Sequence, residues 1–299
     1  MRLVADDVTV KVPATSANLG PGFDAFGLAL QLHDVVHVRA VTSTDVTVEG
    51  EGAGEVGTGE DHLVVRAIRA GLDYLGAPQA GLALHCRNAI PHGRGLGSSA
   101  AAVVAGLVAA RALVNEPDQM DQRAMLSLAA QFEGHPDNAA PALLGSATIA
   151  WMAPDGPQAA QVPVRQELAA TVLVPAHQVP TATARTSLPT TVPHADAASN
   201  CGRAGLLTLA LCHRPDLLLP ATADWLHQQY RAPVMEQSYA LVLQLREHGH
   251  AATISGAGPS VLVLHTGAVD PAIAQLAGPS WRVRTLPLDR TGAQVVQQP

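Results

Sequence analysis

Aromatic side chains are scarce in this sequence: Phe, Tyr and Trp together make up 3% of it, so a core has to be assembled from aliphatic residues and alanine. Charge is sparse as well, at 14%, and acidic residues outnumber basic ones to give a formal net charge of −7. With no Lys/Arg run, that balance argues against a nucleic-acid partner or an anionic membrane surface, since both ask for a basic face. Three cysteines, Cys86, Cys201 and Cys212, form no C-x-x-C pair and are odd in number, which speaks against a disulfide framework and for a reducing, cytoplasmic setting. No uninterrupted run of about 18 apolar residues occurs, so no membrane-spanning helix is expected. The opening "MRLVADDVTVKV" places acidic residues where a signal peptide would be apolar.

What the chain does have is length and apolar content. Its 299 residues, 47% of them hydrophobic, suffice for one large domain or two modest ones. The first fifty residues read as strands: "VTVKVPA" alternates, "TSANLGPGFD" interrupts, and "FGLALQL" and "DVVHVRAV" resume. Helical periodicity takes over at Leu63 to Gly76, where Val65, Ile68, Leu72 and Leu75 share a stripe. After a short strand, "GLALHCRNAIP", further helices are expected over Ser99–Val114 and about Asp121–Phe132. The proline-rich segment Trp151–Glu167 reads as a boundary between two halves. Beyond it come a buried strand, "ATVLVPA", a helical region from Ala197 to about Gln229, and the helix "VMEQSYALVLQLREHG" with Gly249 as its stop. A strand–glycine turn–strand unit, "AATISGAGPSVLVLH", then precedes a last helix and strand. The mixture of strands and helices predicts an α+β protein of two lobes.

One stretch carries most of the chemistry. "PHGRGLGSSAA", Pro91 to Ala101, alternates Gly93, Gly95 and Gly97 between a strand and a helix, which brings a helix N-terminus up to a tight turn. Such an arrangement binds anions through backbone N–H groups. It is not a Walker loop, because no lysine follows Gly97. It misses the G-x-G-x-x-G spacing of dinucleotide folds and the G-x-S-x-G elbow of hydrolases. Cationic help must therefore come from Mg²⁺ and from distant residues. Ser99 is the hydroxyl expected to meet such an ion, with Ser98 capping the helix or touching phosphate. A plain glycine turn with an ordinary serine cap is the competing reading of the same residues. "HDVVH" (His33 to His37) superficially resembles a zinc motif. Its valines predict a strand, however, in which the two imidazoles stand about 13 Å apart.

Three stretches in order, "TSANLGPGFD" (Thr15 to Asp24), "PHGRGLGSSAA" and "SGAGPS" (Ser255 to Ser260), resemble the three motifs of the GHMP kinase superfamily. Four more, "EGHPDNAAPALLG", "TATAR", "SNCGRAG" and "QQYRAP", are similar to those of its members that phosphorylate L-homoserine on the way to threonine. The likeness runs from about Lys11 to His265. It implies a two-lobed fold: an ATP-binding lobe over residues 1–155 resembling a ribosomal S5 domain, and a ferredoxin-like lobe over 156–299.

The resemblance also implies roles. Pro91, His92, Gly93, Arg94, Gly95, Leu96, Gly97, Ser98, Ser99, Ala100 and Ala101 would hold ATP, and Ser99 and Glu133 would hold Mg²⁺. Arg185 and Arg231 match carboxylate-binding positions, a task that suits the planar guanidinium fork. Asp24 matches the acid near the substrate ammonium, and Asn18, Asn138 and Thr181 match polar residues around the reacting hydroxyl. Asn18, Asp24 and Asn138 form the catalytic set, with direct in-line transfer and no dedicated base. A homodimer is implied as well. Ser146 stands where a second glycine is expected after "ALLG", and "VMEQ" after "YRAP" lacks a proline-containing sequence often seen there. The rival readings are a kinase for mevalonate, shikimate or a sugar, a regulatory relative without turnover, and a serine hydrolase. A carboxylate-plus-ammonium pocket formed by Asp24, Arg185 and Arg231 separates homoserine from the other acceptors.

Overall fold

Strand alternation sorts the first residues of the chain between a core and its surroundings. In the strand Asp7–Ala17, Val8, Val10, Val12 and Ala14 are all buried and join one hydrophobic cluster. A computed structural model describes residues 2–296. The chain begins with β1 (Asp7–Ala17), β2 (Phe26–Val41), β3 (Asp45–Gly50), α1 (Leu63–Tyr74), β4 (Gly81–Asn88), α2 (Ser98–Leu113) and α3 (Gln122–Glu133). There follow α4 (Ala139–Leu144), β5 (Ala147–Ala153), β6 (Gly156–Val162), β7 (Leu168–Pro175), α5 (Thr181–Thr186), α6 (His194–Cys212), α7 (Leu218–Ala221) and α8 (Gln228–Arg231). The last elements are α9 (Glu236–Glu247), β8 (Ala251–Ile254), β9 (Val261–Thr266), α10 (Ala272–Ala277), β10 (Trp281–Pro287) and β11 (Gln294–Val296).

Two sheets result, and the class is α+β. The first has seven strands, with the order β11-β1-β2-β4-β3 and the β5–β6 hairpin attached to β2. β2 is 16 residues long because, besides β1, it serves two further partners, β4 at Val35–Val41 and β5 at Phe26–Leu28. The register of β1 against β2 shifts between Pro13 and Ala14, where the proline cannot donate to the ladder. His33 and His37 both lie in β2 and bind different carboxylates, Asp289 and Asp7, each at 2.7 Å. Helix α2 is apolar on nearly every side and is buried against α1 and the sheet. A Cβ on Gly106 would stand 2.6 Å from that of Ala67, so the two helices approach through small residues. That close approach is how a core poor in aromatics is filled.

The second sheet has the order β10-β7-β9-β8, all antiparallel. With its helices the unit reads β7–α–β8–β9–α10–β10, the ferredoxin-like arrangement. Alternation along β9 divides its side chains: Val261 and Val263 face one cluster with α9 and α10, while Leu262 and Leu264 join the main core. The proline-rich segment read as a boundary contains β6, which pairs with β5 in the first sheet, so the division between sheets follows Val162. β11 also returns to the first sheet, beside β1. Asp289 fastens that return by accepting from His33 and from the N–H groups of Thr291 and Gly292.

Candidate active site

The glycine loop leaves β4 at Asn88 and enters α2 at Ser98. Its start is pinned by Asp34, whose Oδ1 accepts from the N–H groups of Ala89 (2.7 Å) and Ile90 (2.9 Å). Burial outweighs those bonds and pushes the Asp34 carboxyl up to about 6. Gly97 occupies the N-cap of α2 in the left-handed conformation, with φ at 69°, and no side chain caps the helix. Ser98 is therefore the first helical residue and not a cap, a correction to the sequence reading. The first intrahelical bond runs from the N–H of Ala101 to the carbonyl of Gly97 (2.8 Å). The N–H groups of Ser98, Ser99 and Ala100 keep no intrahelical partner, which leaves the helix end free for an anion.

Hydrogen bonds tie the three motifs into one body. Ser255 Oγ donates to the carbonyl of Gly95 (2.6 Å) and meets Ser16 Oγ at 2.8 Å. Asn18 Nδ2 donates to the carbonyl of Gly256 (2.8 Å), and the Gly256 N–H donates to the carbonyl of Ala17 (3.0 Å). Thr15 N–H donates to the carbonyl of Leu96 (3.0 Å), and its hydroxyl to Asn138 Oδ1 (2.8 Å). A Cβ on Gly97 would collide with that same hydroxyl. Arg94, the one cation of the loop, uses Nε, Nη1 and Nη2 on the carbonyls of Pro175, His92 and Ala176. Its side chain anchors the loop to the end of β7.

Ser99 Oγ donates to Glu133 Oε1 at 2.5 Å, joining the first turn of α2 to the last residue of α3. Burial pushes the Glu133 carboxyl up, and the bond from Ser99 pulls it back. The pair offers two hard oxygen donors beside the free helix end. Such a set suits a divalent cation that keeps several waters.

A cavity of about 190 Å³ gathers the remaining candidates: Asn18, Asp24, Asn138, Thr181, Arg185 and Arg231 line it together with Gly93–Ser99 and Glu133. Asp24 sits on a turn with positive φ (54°), as do Asn18 (70°) and Leu19 (48°), a run of backbone held against its preference. Both Asp24 oxygens accept from Arg185, at 2.8 and 3.2 Å. Asn18 has both ends of its amide engaged, since Oδ1 accepts from the N–H of Asp24 (3.0 Å). Arg231 is 2% exposed and donates to the carbonyls of Ala184 and Gly256, each at 3.2 Å. Burial and the neighbouring Arg185 charge push its pKa down. No carboxylate of the described residues is within ion-pair distance of it, and a buried cation without a counter-charge is costly unless a ligand supplies one. A second cavity, about 350 Å³, opens on the other side of Ser98 and Ser99 and is lined by Val12, Val36, Leu63, Val64 and Ala102.

The pattern described as GHMP kinases N terminal domain matches residues 62–146, which span the loop and Glu133. A homoserine kinase of Streptomyces avermitilis is 51% identical over 291 residues, 97% of this chain and 95% of that protein. The chain belongs to the homoserine kinase family. A crystal structure of homoserine kinase from Cytophaga hutchinsonii aligns with a TM-score of 0.83 at 27% identity, covering 98% of each chain. Mevalonate kinase of L. major, solved with R-mevalonate, shares the fold at a TM-score of 0.69 and 14% identity, covering 97% of this chain and 99% of that one. The family makes this chain an ATP-dependent kinase of a small molecule. No helix of the described residues is long and apolar enough to cross a membrane.

Several residues of the site were not singled out from sequence. Phe23 lies under both arginines, with Cζ of Arg185 at 5.7 Å and of Arg231 at 5.4 Å from its ring centroid. His227 stacks on the Phe23 ring, with centroids 5.2 Å apart. Asp137 lines the cavity and is raised to about 7, by burial first and by the charge of Asp24 second. His135 stands 3.6 Å from Asp24. Phe23, His135 and Asp137 lie inside quoted motifs and His227 directly precedes one, but no spacing rule marks them.

Proposed function

We propose that this protein transfers the γ-phosphoryl group of ATP to the side-chain hydroxyl of L-homoserine, giving O-phospho-L-homoserine and ADP on the route to threonine. The observation that carries the reading is a single cavity lined by one acid, Asp24, two arginines, Arg185 and Arg231, and the glycine loop. An α-amino acid presents the complementary charges. Mevalonate and shikimate carry a carboxylate but no ammonium, and a sugar carries neither.

Phosphoryl transfer asks mainly for positioning and charge neutralisation. The free N–H groups at the start of α2 and the loop backbone hold the phosphates of ATP, and the larger cavity takes the nucleoside end. Ser99 and Glu133 would hold Mg²⁺, which would neutralise phosphate charge. Arg94 keeps the loop seated without touching phosphate itself. The acceptor's ammonium and carboxylate enter between Asp24 and Arg185, replacing an internal ion pair by two matched contacts, while Arg231 supplies its unpaired charge to the carboxylate. Asn138, whose Oδ1 is taken by Thr15, presents its NH₂ group to the reacting hydroxyl, with Thr181 at the cavity rim. Asn18 shapes the turn that carries Asp24. Because Asp24 is engaged with the acceptor's ammonium once that internal pair is replaced, it is poorly placed to accept a proton, which supports direct in-line transfer. The lobes are taken as 1–155 and 156–299, with β6 and β11 reaching back to the first sheet. A cytoplasmic homodimer is proposed on the family resemblance, in keeping with three free cysteines.

The test is ADP release from purified protein with Mg²⁺-ATP and L-homoserine, mevalonate, shikimate or galactose in turn. Mg²⁺-dependent turnover with homoserine alone is expected. Turnover with another acceptor and not with homoserine refutes the pocket assignment.

A further inference from the structure

The entry to α8 is held by side-chain hydrogen bonds of Asp224 and Gln228. Asp224 Oδ2 accepts from the N–H groups of His227 (3.2 Å) and Gln228 (2.8 Å), and its Oδ1 accepts from that of Leu226 (2.8 Å). Gln228 Oε1 accepts from the N–H of Ile254 (2.6 Å) and the hydroxyl of Thr253 (3.0 Å), tying the turn to the strand that leads into "SGAGPS". Between these anchors the imidazole of His227 is fully buried. Its Nε2 lies 2.8 Å from the carbonyl oxygen of Gly20 in the "TSANLG" turn. A carbonyl only accepts, so Nε2 carries the proton. Nδ1 is then a lone pair, and it faces Nη1 of Arg231 at 3.3 Å. Burial holds the ring pKa down; the charged groups facing it are Asp224, which opposes that shift, Arg231, which reinforces it, and Asp24.

Arg231 has three listening points in the protein: the carbonyl of Ala184 for Nε, and the carbonyl of Gly256 and the His227 ring for Nη1. Nη2 has no hydrogen-bond partner among the described residues, and Arg231 lines the cavity. We propose that His227 is a positioning residue for the acceptor's carboxylate: its neutral ring, protonated at Nε2, bridges Gly20 to Arg231 and aims the free Nη2 edge of that arginine at the carboxylate. The inference rests on the reading that Arg231 binds the carboxylate of an amino acid. Phe23 completes the device, stacked on His227 and lying under both arginines, so the guanidinium planes are set before the substrate arrives.

Asparagine and glutamine separate the two halves of the bridge. Asn places its Oδ1 where Nδ1 of the imidazole lies, and so keeps an acceptor for Arg231 while losing the donor to Gly20. Gln places its Nε2 where the ring Nε2 lies, and so keeps the donor and loses the acceptor. With Mg²⁺-ATP saturating, His227→Gln is expected to raise KM for L-homoserine by about tenfold or more, the loss of one hydrogen bond to a charged group. His227→Asn is expected to stay within about threefold of wild type, and neither variant is expected to change kcat or KM for ATP by more than about threefold. Equal KM values in the two variants, raised or not, or a loss confined to kcat, would overturn the proposal and leave the ring a filler. Should either variant fail to fold, ¹⁵N-histidine spectra of the wild-type protein decide: a neutral, Nε2-protonated His227 is required, and the Nδ1-protonated or charged form refutes it. Arg231→Lys serves as the control. If it leaves KM for homoserine unchanged, the carboxylate role of Arg231 fails; if the wild type does not turn over homoserine at all, the proposed function fails.

Discussion

Replacing Gly95 by alanine tests whether the contact between two sequence-distant motifs is what holds the phosphate loop. Gly95 has φ at 71°, and a residue with a Cβ held in that left-handed region costs about 1–2 kcal/mol. Space is lacking too. The new Cβ would lie 2.8 Å from the carbonyl oxygen and 2.9 Å from the nitrogen of Gly258, and closer still to the carbonyl oxygen of Ser255. All three are backbone atoms, so no side chain can swing aside. Relief needs a shift of more than about half an ångström, since unstrained contacts lie near 3.5 Å. Overpacking of this kind adds about 1–3 kcal/mol, for a total of about 2–5 kcal/mol. The same shift moves the loop from its position over the cavity, and sites of this kind tolerate about 0.5 Å, so kcat/KM should fall roughly 10- to 100-fold. Gly54→Ala is the matched control, with φ at 77° and nothing within 4 Å of the new Cβ. It carries the backbone cost alone. Urea unfolding and ADP release on the two variants give the comparison. If Gly95→Ala unfolds no earlier than Gly54→Ala and turns over like wild type, the "SGAGPS" turn does not position the loop and the reasoning is wrong.

Ser99→Ala removes one of the two oxygen donors beside the helix end, and the Mg²⁺ concentration for half-maximal turnover should rise by about tenfold, read from a Mg²⁺ titration; an unchanged midpoint removes Ser99 from the metal site. Asp137, raised to about 7 by burial and then by the charge of Asp24, favours its protonated form in the folded protein. Its contribution to stability is therefore intact below the ordinary carboxylate value of about 4 and is lost as the pH rises through 7. Asp137→Asn should thus gain stability over wild type, more at about pH 8 than at about pH 5 in denaturant unfolding, and should keep kcat within about tenfold. A fall in kcat of more than about 100-fold in that variant would instead make Asp137 the proton acceptor and end the case for direct transfer.

The chemistry-bearing stretches were legible because they are local. A glycine-alternating loop between a strand and a helix states its own backbone geometry, and Gly93, Gly95 and Gly97 all adopt the positive φ that such a turn needs. The helices α1 and α3 followed from their apolar stripes, and β2 from its valines despite the zinc-like spacing of His33 and His37. Of the two roles read for Ser98, helix cap or phosphate contact, the cap was wrong, a reading prompted by serine being a common N-cap residue. The structure gives that place to Gly97, whose left-handed backbone favours glycine and whose lack of a Cβ leaves room for the Thr15 hydroxyl. β6 was hidden by its proline and glutamines, because an edge hairpin needs little hydrophobic pattern to pair with β5.

By itself, then, the sequence determined the α+β class and the glycine loop between β4 and α2, and it singled out the charged residues proposed for the site, since each depends on neighbours within a dozen residues. Only the tertiary structure decided that Asp24, Arg185 and Arg231 share one cavity, that Arg94 is taken up by carbonyls, and that Phe23 and His227 stand behind the arginines. Most of these contacts join distant segments: 161 residues separate Arg185 from Asp24, and 207 separate His227 from Gly20. No local pattern encodes such pairings. They arise when two sheets, each burying its own apolar face, bring their loops to the same edge of the core.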